Sequence, residues 1–263
     1  MQYNNVYMSS ISYQLPSESI STSELENEIS NTLESLKIPK KLLESLTGIK
    51  NRRWWPKDYK VSEGAYLAAN KALLKSNISI EDIDVLTYTA VCREAYEPST
   101  ASLVGKKLGL NGDALVYDIS NACLGVLNGI IDVANRIELG QIKAGMIVAC
   151  ESSRDICRDI IQQIKSHKGD MNFLMKSLAT LTGGSGATCV ILTNAELASK
   201  ESHRIIGASS KNSVEHSDLC SWGVEQDGKN GLIQYMRTDA TKILQYGTEL
   251  GVRTFDALLD EVD

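Results

Sequence analysis

The chain of 263 residues carries 27 basic and 33 acidic side chains, and its net charge of −6 includes no block of like charges. This balance argues against nucleic acid or an anionic membrane surface as a partner. No apolar run reaches the roughly 20 residues of a membrane helix, and no basic and apolar leader opens the chain, so we expect a cytoplasmic protein without a membrane span.

Strands and helices alternate along the first two thirds of the chain. Strands are predicted at 6–13, 85–92, 114–119, 146–150, 189–192 and 203–209, and helices at 21–36, 40–46, 62–76, 99–108, 124–137, 154–165 and 170–181. A repeated order of strand, helix and strand is typical of crossover units, so the sequence predicts an α/β fold with a largely parallel sheet.

The last part of the chain is predicted to differ. A polar loop runs through Gly228, and a helix then runs from about Leu232 to the end with an apolar stripe that continues to Val262. One strand and one long helix do not make a second layered core. We therefore expect residues 1–198 to form a complete first half and residues 199–263 to form the incomplete start of a second half.

Cys123 lies where the strand at 114–119 gives way to an apolar helix. Unpaired N–H groups and the helix dipole at a helix start favour a thiolate, so the position suits a nucleophile. The alternative is a small buried hydrophobic residue, because free cysteine is often buried. The helix is apolar around most of its circumference and is expected to be buried on several sides, with Gly125 and Gly129 allowing a close backbone approach.

A second candidate site lies in the basic and aromatic segment 50–55. Arg52, Arg53 and Trp54 could hold a phosphorylated ligand by charge and stacking, or the segment could be a solvated arginine pair beside two packed tryptophans. The glycine-rich segment 183–188 precedes a strand and lacks Gly-Lys-Ser/Thr, so it is not a phosphate loop. The six cysteines include no CxxC pair, which predicts reduced thiols and no metal site.

Four short motifs together carry a family resemblance: Thr47-Gly-Ile49, Glu97-Pro-Ser-Thr-Ala101, Asn121-Ala-Cys-Leu-Gly125 and Gly184-Ser-Gly-Ala187. In this order and spacing they resemble the β-ketoacyl synthase III group of the thiolase superfamily, and within it the OleA type, which condenses two long-chain acyl-CoA molecules head to head. The resemblance implies a five-layer αβαβα fold and a homodimer. It also implies a Claisen condensation of acyl-CoA or acyl carrier protein thioesters, without a cofactor beyond that substrate carrier.

The resemblance assigns roles to two residues. Cys123 is expected to accept the first acyl group as a thioester, and a second acyl thioester then attacks it through its α-carbon. Glu97 matches a glutamate that reaches the active site of the neighbouring subunit and removes the α-proton in the olefin-type enzymes. The alternative for Glu97 is a surface carboxylate that favours the dipole of the following helix.

Two departures from the family pattern stand out. A tryptophan and an arginine that grip the CoA adenine in bacterial β-ketoacyl synthases III correspond to Leu42 and Leu46. We therefore expect CoA to be held by Arg52, Arg53 and Trp54 instead.

The second departure concerns the oxyanion donors, a histidine and an asparagine that the resemblance places beyond residue 263. None of His167, His203 and His216 has the context of that histidine. Loss of one such donor costs about 10²–10³ in rate. Two alternatives to a condensing enzyme therefore remain open: a non-catalytic protein that binds acyl thioesters or a partner, and an unstable fragment.

Overall fold

The computed structural model describes residues 1–166, 170–227 and 231–262. The strands are β1 (Tyr7–Gln14), β2 (Glu18–Ser21), β3 (Asn51–Trp54), β4 (Val85–Tyr88), β5 (Leu115–Asp118), β6 (Ala144–Glu151), β7 (Gly186–Thr193), β8 (His203–Arg204), β9 (Cys220–Asp227) and β10 (Gly231–Thr238). The helices are α1 (Thr22–Glu28), α2 (Ser30–Ser35), α3 (Leu42–Thr47), α4 (Val61–Ser76), α5 (Thr100–Leu108), α6 (Gly125–Glu138), α7 (Arg154–Ser166), α8 (Met171–Ser177) and α9 (Ala240–Val262).

Six strands form the central sheet in the order β5-β4-β6-β7-β1-β8. β4 pairs in parallel with β5 and β6, whereas β7 is antiparallel to both β6 and β1. The prediction of a largely parallel sheet is therefore wrong for the half that contains β7. The reason is that α7 and α8 connect the end of β6 to a β7 that starts beside it, where Glu151 pairs with Gly186. The chain therefore runs back along β6 instead of returning to the other end of the sheet to start a parallel strand.

Helices cover both faces of this sheet. Leu86 and Tyr88 of β4 face a core formed with α4 and α5, while Val85 of the same strand faces a core formed with α6. This alternation follows from the two-residue period of a strand. The described residues thus build three layers, helix, sheet and helix, of the expected five-layer arrangement.

A smaller core lies beside the sheet. The short strands β2 and β3, which the sequence analysis missed, pair with each other, and Trp54 of β3 packs among apolar residues of α1, α2 and α7. The helix predicted over 21–36 begins with the expected capping box of Ser21 and Glu24 but divides into α1 and α2 at Ile29.

The prediction after residue 209 is wrong in two places. Residues 220–227, predicted as loop, and residues 231–238, predicted as the start of a helix, form the antiparallel hairpin of β9 and β10. Helix α9 begins only at Ala240, and none of its described residues is buried. Short apolar segments fit either a strand or a helix, so the cross-strand partner decided the outcome.

Candidate active site

Cys123 lies on the turn that joins β5 to α6. A single turn of 3-10 helix spans Ala122–Leu124, and α6 begins at Gly125. Ala122 has a φ of 43°, a left-handed conformation that costs energy for a residue with a Cβ atom. This turn exposes Cys123 just before the positive end of the α6 dipole. The thiol is therefore accessible to a reagent, so Cys123 is not a buried packing residue.

Two glycines let α6 lie against the end of β4. A Cβ atom at Gly125 would stand 2.0 Å from the backbone oxygen of Thr89, and one at Gly129 would stand 2.8 Å from Cγ2 of Ile147. The predicted close approach of another backbone is therefore confirmed at Gly125, whereas the atoms close to Gly129 belong to the side chains of Ile147 and Thr89. This contact fixes the position of the Cys123 turn relative to the sheet.

At the Cys123 turn and the first turn of α6, the side that faces away from the sheet is apolar and exposed. Val133, Ala134 and Ile137 are buried against the sheet, whereas Leu124 and Leu127 are 55% and 56% exposed. In the described residues α6 thus buries one face, and the prediction of burial on several sides is wrong. A helix this apolar has the composition of a helix covered on both sides, but the described chain supplies only one of the covering layers.

Glu97 lies in the loop between β4 and α5, next to a cis peptide bond with Pro98. Its side chain is exposed, and no hydrogen bond or ion pair joins it to the described residues. Because β4 and β5 are parallel neighbours, their carboxyl ends lie at one edge of the sheet, so the Glu97 loop and the Cys123 turn start from the same edge.

The sequence analysis missed the residues that hold this loop. Backbone N–H groups at its beginning donate to the carboxylate of Glu151, and those at its end donate to the carboxylate of Asp118. The available signal was an acidic residue at the carboxyl end of a strand, which is the buried β6 for Glu151 and the partly exposed β5 for Asp118.

The three residues predicted to bind CoA are not arranged as a shared surface. Trp54 is fully buried and donates from Nε1 to the oxygen of Gly183 at 3.0 Å. Arg52 is also buried and donates to Thr22 Oγ1 at 2.9 Å. The prediction that Trp54 stacks on CoA is therefore corrected, because no ring face is open to a ligand.

Burial also lowers the pKa of Arg52. Arg53, by contrast, is exposed, and one of its guanidinium N–H groups, at Nη1, donates to the backbone oxygen of Pro16 at 2.9 Å. The guanidinium of Arg53 is therefore the member of the predicted trio that a phosphorylated ligand could reach.

A groove of about 610 Å³ lies beside the Glu97 loop, and Tyr59, Lys60, Arg93 and Tyr96 are among the residues that line it. Cys92 also lines this groove, but burial raises the pKa of its thiol well above the usual range. At neutral pH this thiol is protonated and unsuited to nucleophilic attack. Of the six cysteines, Cys123 and Cys220 are the exposed ones.

The remaining candidate groups do not form a site with Cys123. His203 lies in β8 and His216 stacks on Tyr246 with ring centroids 3.9 Å apart, while His167 lies outside the described residues. Among residues 1–166, 170–227 and 231–262 there is no cluster of His, Cys, Asp and Glu that could hold a metal ion. Within the same ranges no helix is long and apolar enough to cross a membrane.

Two of the curated proteins that match do so over nearly the whole chain. The chain is 46% identical over 261 residues to an acyl-CoA:acyl-CoA alkyltransferase of Shewanella oneidensis, covering 98% of the chain and 74% of that protein. It is 30% identical over 257 residues to the Xanthomonas campestris protein of the same name, covering 98% of the chain and 73% of that protein. A β-ketoacyl-[acyl-carrier-protein] synthase III of Oceanobacillus iheyensis is 28% identical over 147 residues, 56% of the chain and 45% of that protein. No family model matches.

Solved structures show the same likeness. A variant of Xanthomonas campestris OleA with a glutamate replaced by glutamine matches with a TM-score of 0.90 at 29% identity, over 100% of this chain and 73% of that one. The cerulenin-bound form matches with a TM-score of 0.89 at 30% identity, over 98% and 72% of the two chains. A cysteine-to-serine variant with bound lauric acid and lauroyl-CoA matches with a TM-score of 0.88 at 29% identity, over 97% and 73%.

Proposed function

Because the chain belongs to the acyl-CoA:acyl-CoA alkyltransferase family, the OleA type within the thiolase superfamily, we propose that it joins two acyl-CoA molecules by a Claisen condensation through an acyl-Cys123 intermediate. The observation that carries the proposal is the exposed thiol of Cys123 on a strained turn at the start of α6. The alternative is a protein that binds acyl thioesters without reacting with them.

The first step is acyl transfer to the thiol. The sulfur of Cys123 attacks the thioester carbonyl, a new carbon–sulfur bond forms, and CoA leaves as its thiol with the proton from the cysteine. The free energy of one thioester is kept in the next, so the step is close to balanced, and a thiol is a competent nucleophile near neutral pH.

The second step forms the carbon–carbon bond. Glu97 takes a proton from the α-carbon of a second acyl-CoA, and that carbon attacks the acyl-cysteine carbonyl. The carbon–sulfur bond to Cys123 then breaks, the sulfur leaves as a thiolate, and the proton held by Glu97 restores the thiol. The product is a β-ketoacyl thioester that contains both chains. Glu97 precedes Cys123 by the same number of residues as the glutamate precedes the cysteine substituted in the OleA structures, which supports this pairing of roles.

The proposal includes a homodimer in which Glu97 serves Cys123 of the partner subunit. The tip of the Glu97 loop supports this, because Tyr96 is completely exposed and Glu97 has no partner among the described residues. For the CoA phosphates we propose Arg53, whose guanidinium is exposed at the edge of β3. The oxyanion donors remain the histidine and asparagine that the resemblance implies.

The test uses the protein produced from its native gene and lauroyl-CoA as the probe. The proposal expects release of CoA thiol and a product that contains two lauroyl chains. Cys123→Ala should abolish both, whereas Glu97→Gln should keep the first release of CoA and lose the joined product. Binding of lauroyl-CoA with no release of CoA would instead favour the non-catalytic protein.

A further inference from the structure

The loop between β4 and α5 is held at both ends by carboxylates and is exposed at its tip. It starts after Tyr88 and ends where α5 begins at Thr100. At its tip Tyr96 and Glu97 are exposed. Before the tip, the carboxylate of Glu94 accepts a hydrogen bond from the backbone N–H of Ser62 at 2.8 Å. Because no side-chain hydrogen bond or ion pair joins Glu97 itself to a described residue, its position depends on how the rest of the loop is held.

The first end is held by Glu151, the last residue of β6. The backbone N–H groups of Val91 and Cys92 donate to the two oxygens of its carboxylate at 2.7 and 3.2 Å. The phenol oxygen of Tyr88 lies 2.6 Å from the backbone oxygen of Cys92 and adds a second contact at the same point.

The second end is held by Asp118, the last residue of β5. The N–H groups of Thr100 and Ala101 donate to its two oxygens at 3.0 and 2.9 Å. The Asp118 side chain is only 8% exposed, and Arg93 Nε lies 3.9 Å from it. Hydrogen bonds to an ionised carboxylate are shorter and stronger than neutral ones, and bonds to backbone groups fix the course of the chain.

The two carboxylates also tie the loop to the strands around it. β5 and β6 flank β4 in the sheet, so the loop that follows β4 donates hydrogen bonds to both neighbouring strands, to Asp118 of β5 and to Glu151 of β6. Asp118 is five residues before Cys123 on the same strand-to-turn segment. One side chain therefore links the backbone three residues after Glu97 to the segment that carries Cys123 of the same subunit.

We propose that Asp118 and Glu151 are positioning residues that hold Glu97 where it can remove the α-proton. This inference rests on the proposed function of Glu97 as the base. A purely structural role for either carboxylate, such as favouring the start of α5, would affect every step of the reaction alike, whereas positioning affects only the step that uses Glu97.

The test separates the steps with lauroyl-CoA. Acylation of Cys123 is followed by intact mass, and α-proton removal by exchange of the α-hydrogens for deuterium in D₂O. The variants are Asp118→Asn and Glu151→Gln, which act at opposite ends of the loop, so failure of one to fold leaves the other. Both should slow exchange and condensation by roughly 10- to 100-fold, the effect of a misplacement near 1 Å, and should change acylation less than about twofold.

The matched control is Asp84→Asn. The carboxylate of Asp84 also accepts two backbone N–H groups, those of Lys143 and Ala144 at 2.6 and 3.2 Å, but at the opposite end of β4. This variant should leave exchange, condensation and acylation unchanged. The hydrogen bonds of Asp84 have distances like those of Asp118 and Glu151, but they do not hold the Glu97 loop.

A double variant decides how the effect is transmitted. If Asp118 acts through Glu97, then Asp118→Asn causes no further slowing in the Glu97→Gln background, because coupled residues are non-additive. Equal slowing of acylation by Asp118→Asn, or a full additional loss in that background, would overturn the inference. If Glu97→Gln itself left exchange and condensation at the wild-type rate, the role of Glu97 would fail, and the positioning role with it.

Discussion

Gly125 should be unable to accept even a methyl group. A Cβ atom there would lie 2.0 Å from the backbone oxygen of Thr89, whereas an ordinary carbon–oxygen contact is about 3.3 Å. Gly125→Ala must therefore move the start of α6 by roughly 1.3 Å, because the obstacle is backbone and cannot rotate away.

This displacement has two measurable consequences. Overpacking costs about 1–3 kcal/mol, and a shift of about 1 Å at a reacting group costs on the order of 100-fold in rate. We therefore expect Gly125→Ala to lower the free energy of unfolding by about 1–3 kcal/mol in urea. Acylation of Cys123 by lauroyl-CoA should slow by about 100-fold.

The control is a glycine in an open helix. No heavy atom lies within 4 Å of a Cβ atom at Gly247 in α9, so Gly247→Ala should raise stability by up to about 1 kcal/mol and leave acylation unchanged. The close contact would be refuted if Gly125→Ala unfolded at the wild-type urea concentration and was acylated at the wild-type rate.

Three other measurements test the burial of individual side chains: a substitution, a pH titration and a thiol-labelling experiment. Trp54→Ala should lower the free energy of unfolding by about 3–5 kcal/mol in urea, because the ring is fully buried. Burial and the hydrogen bond to Asp132 raise the pKa of Tyr117 to about 12, so the folded chain holds the phenol proton more tightly than the unfolded chain does. The free energy of unfolding should therefore fall as the pH rises from about 10 to 12, and it should fall less in Tyr117→Phe. Burial raises the pKa of the Cys189 thiol. A thiol reagent at about pH 8 should therefore label Cys123 at least ~100-fold faster than Cys189, as measured by peptide mass.

Much of the fold could be predicted where a local signal decides the structure. The capping box at Ser21 and the Ser99 cap both start helices, and Gly109 ends α5 in a left-handed conformation. These outcomes depend on neighbours within four residues. The hairpin of β9 and β10 depends instead on pairing between two segments, so periodicity within one segment could not identify it.

The candidate site divides in the same way. The turn at Cys123 could be predicted, because a strand, a cysteine and an apolar helix follow one another in the sequence. The burial of Trp54 could not, because it depends on α7 and on the oxygen of Gly183. The roles of Asp118 and Glu151 were also hidden, since each holds backbone groups of a segment far from it in sequence.

The most direct test of the central claim is the mass of the protein after incubation with lauroyl-CoA, followed by peptide mapping of the adduct. The account predicts one added lauroyl group on Cys123, lost in Cys123→Ala and retained in Cys220→Ala, the variant at the other exposed cysteine. An adduct on Cys220, or no adduct on a protein that binds lauroyl-CoA, would contradict the assignment of Cys123 as the nucleophile.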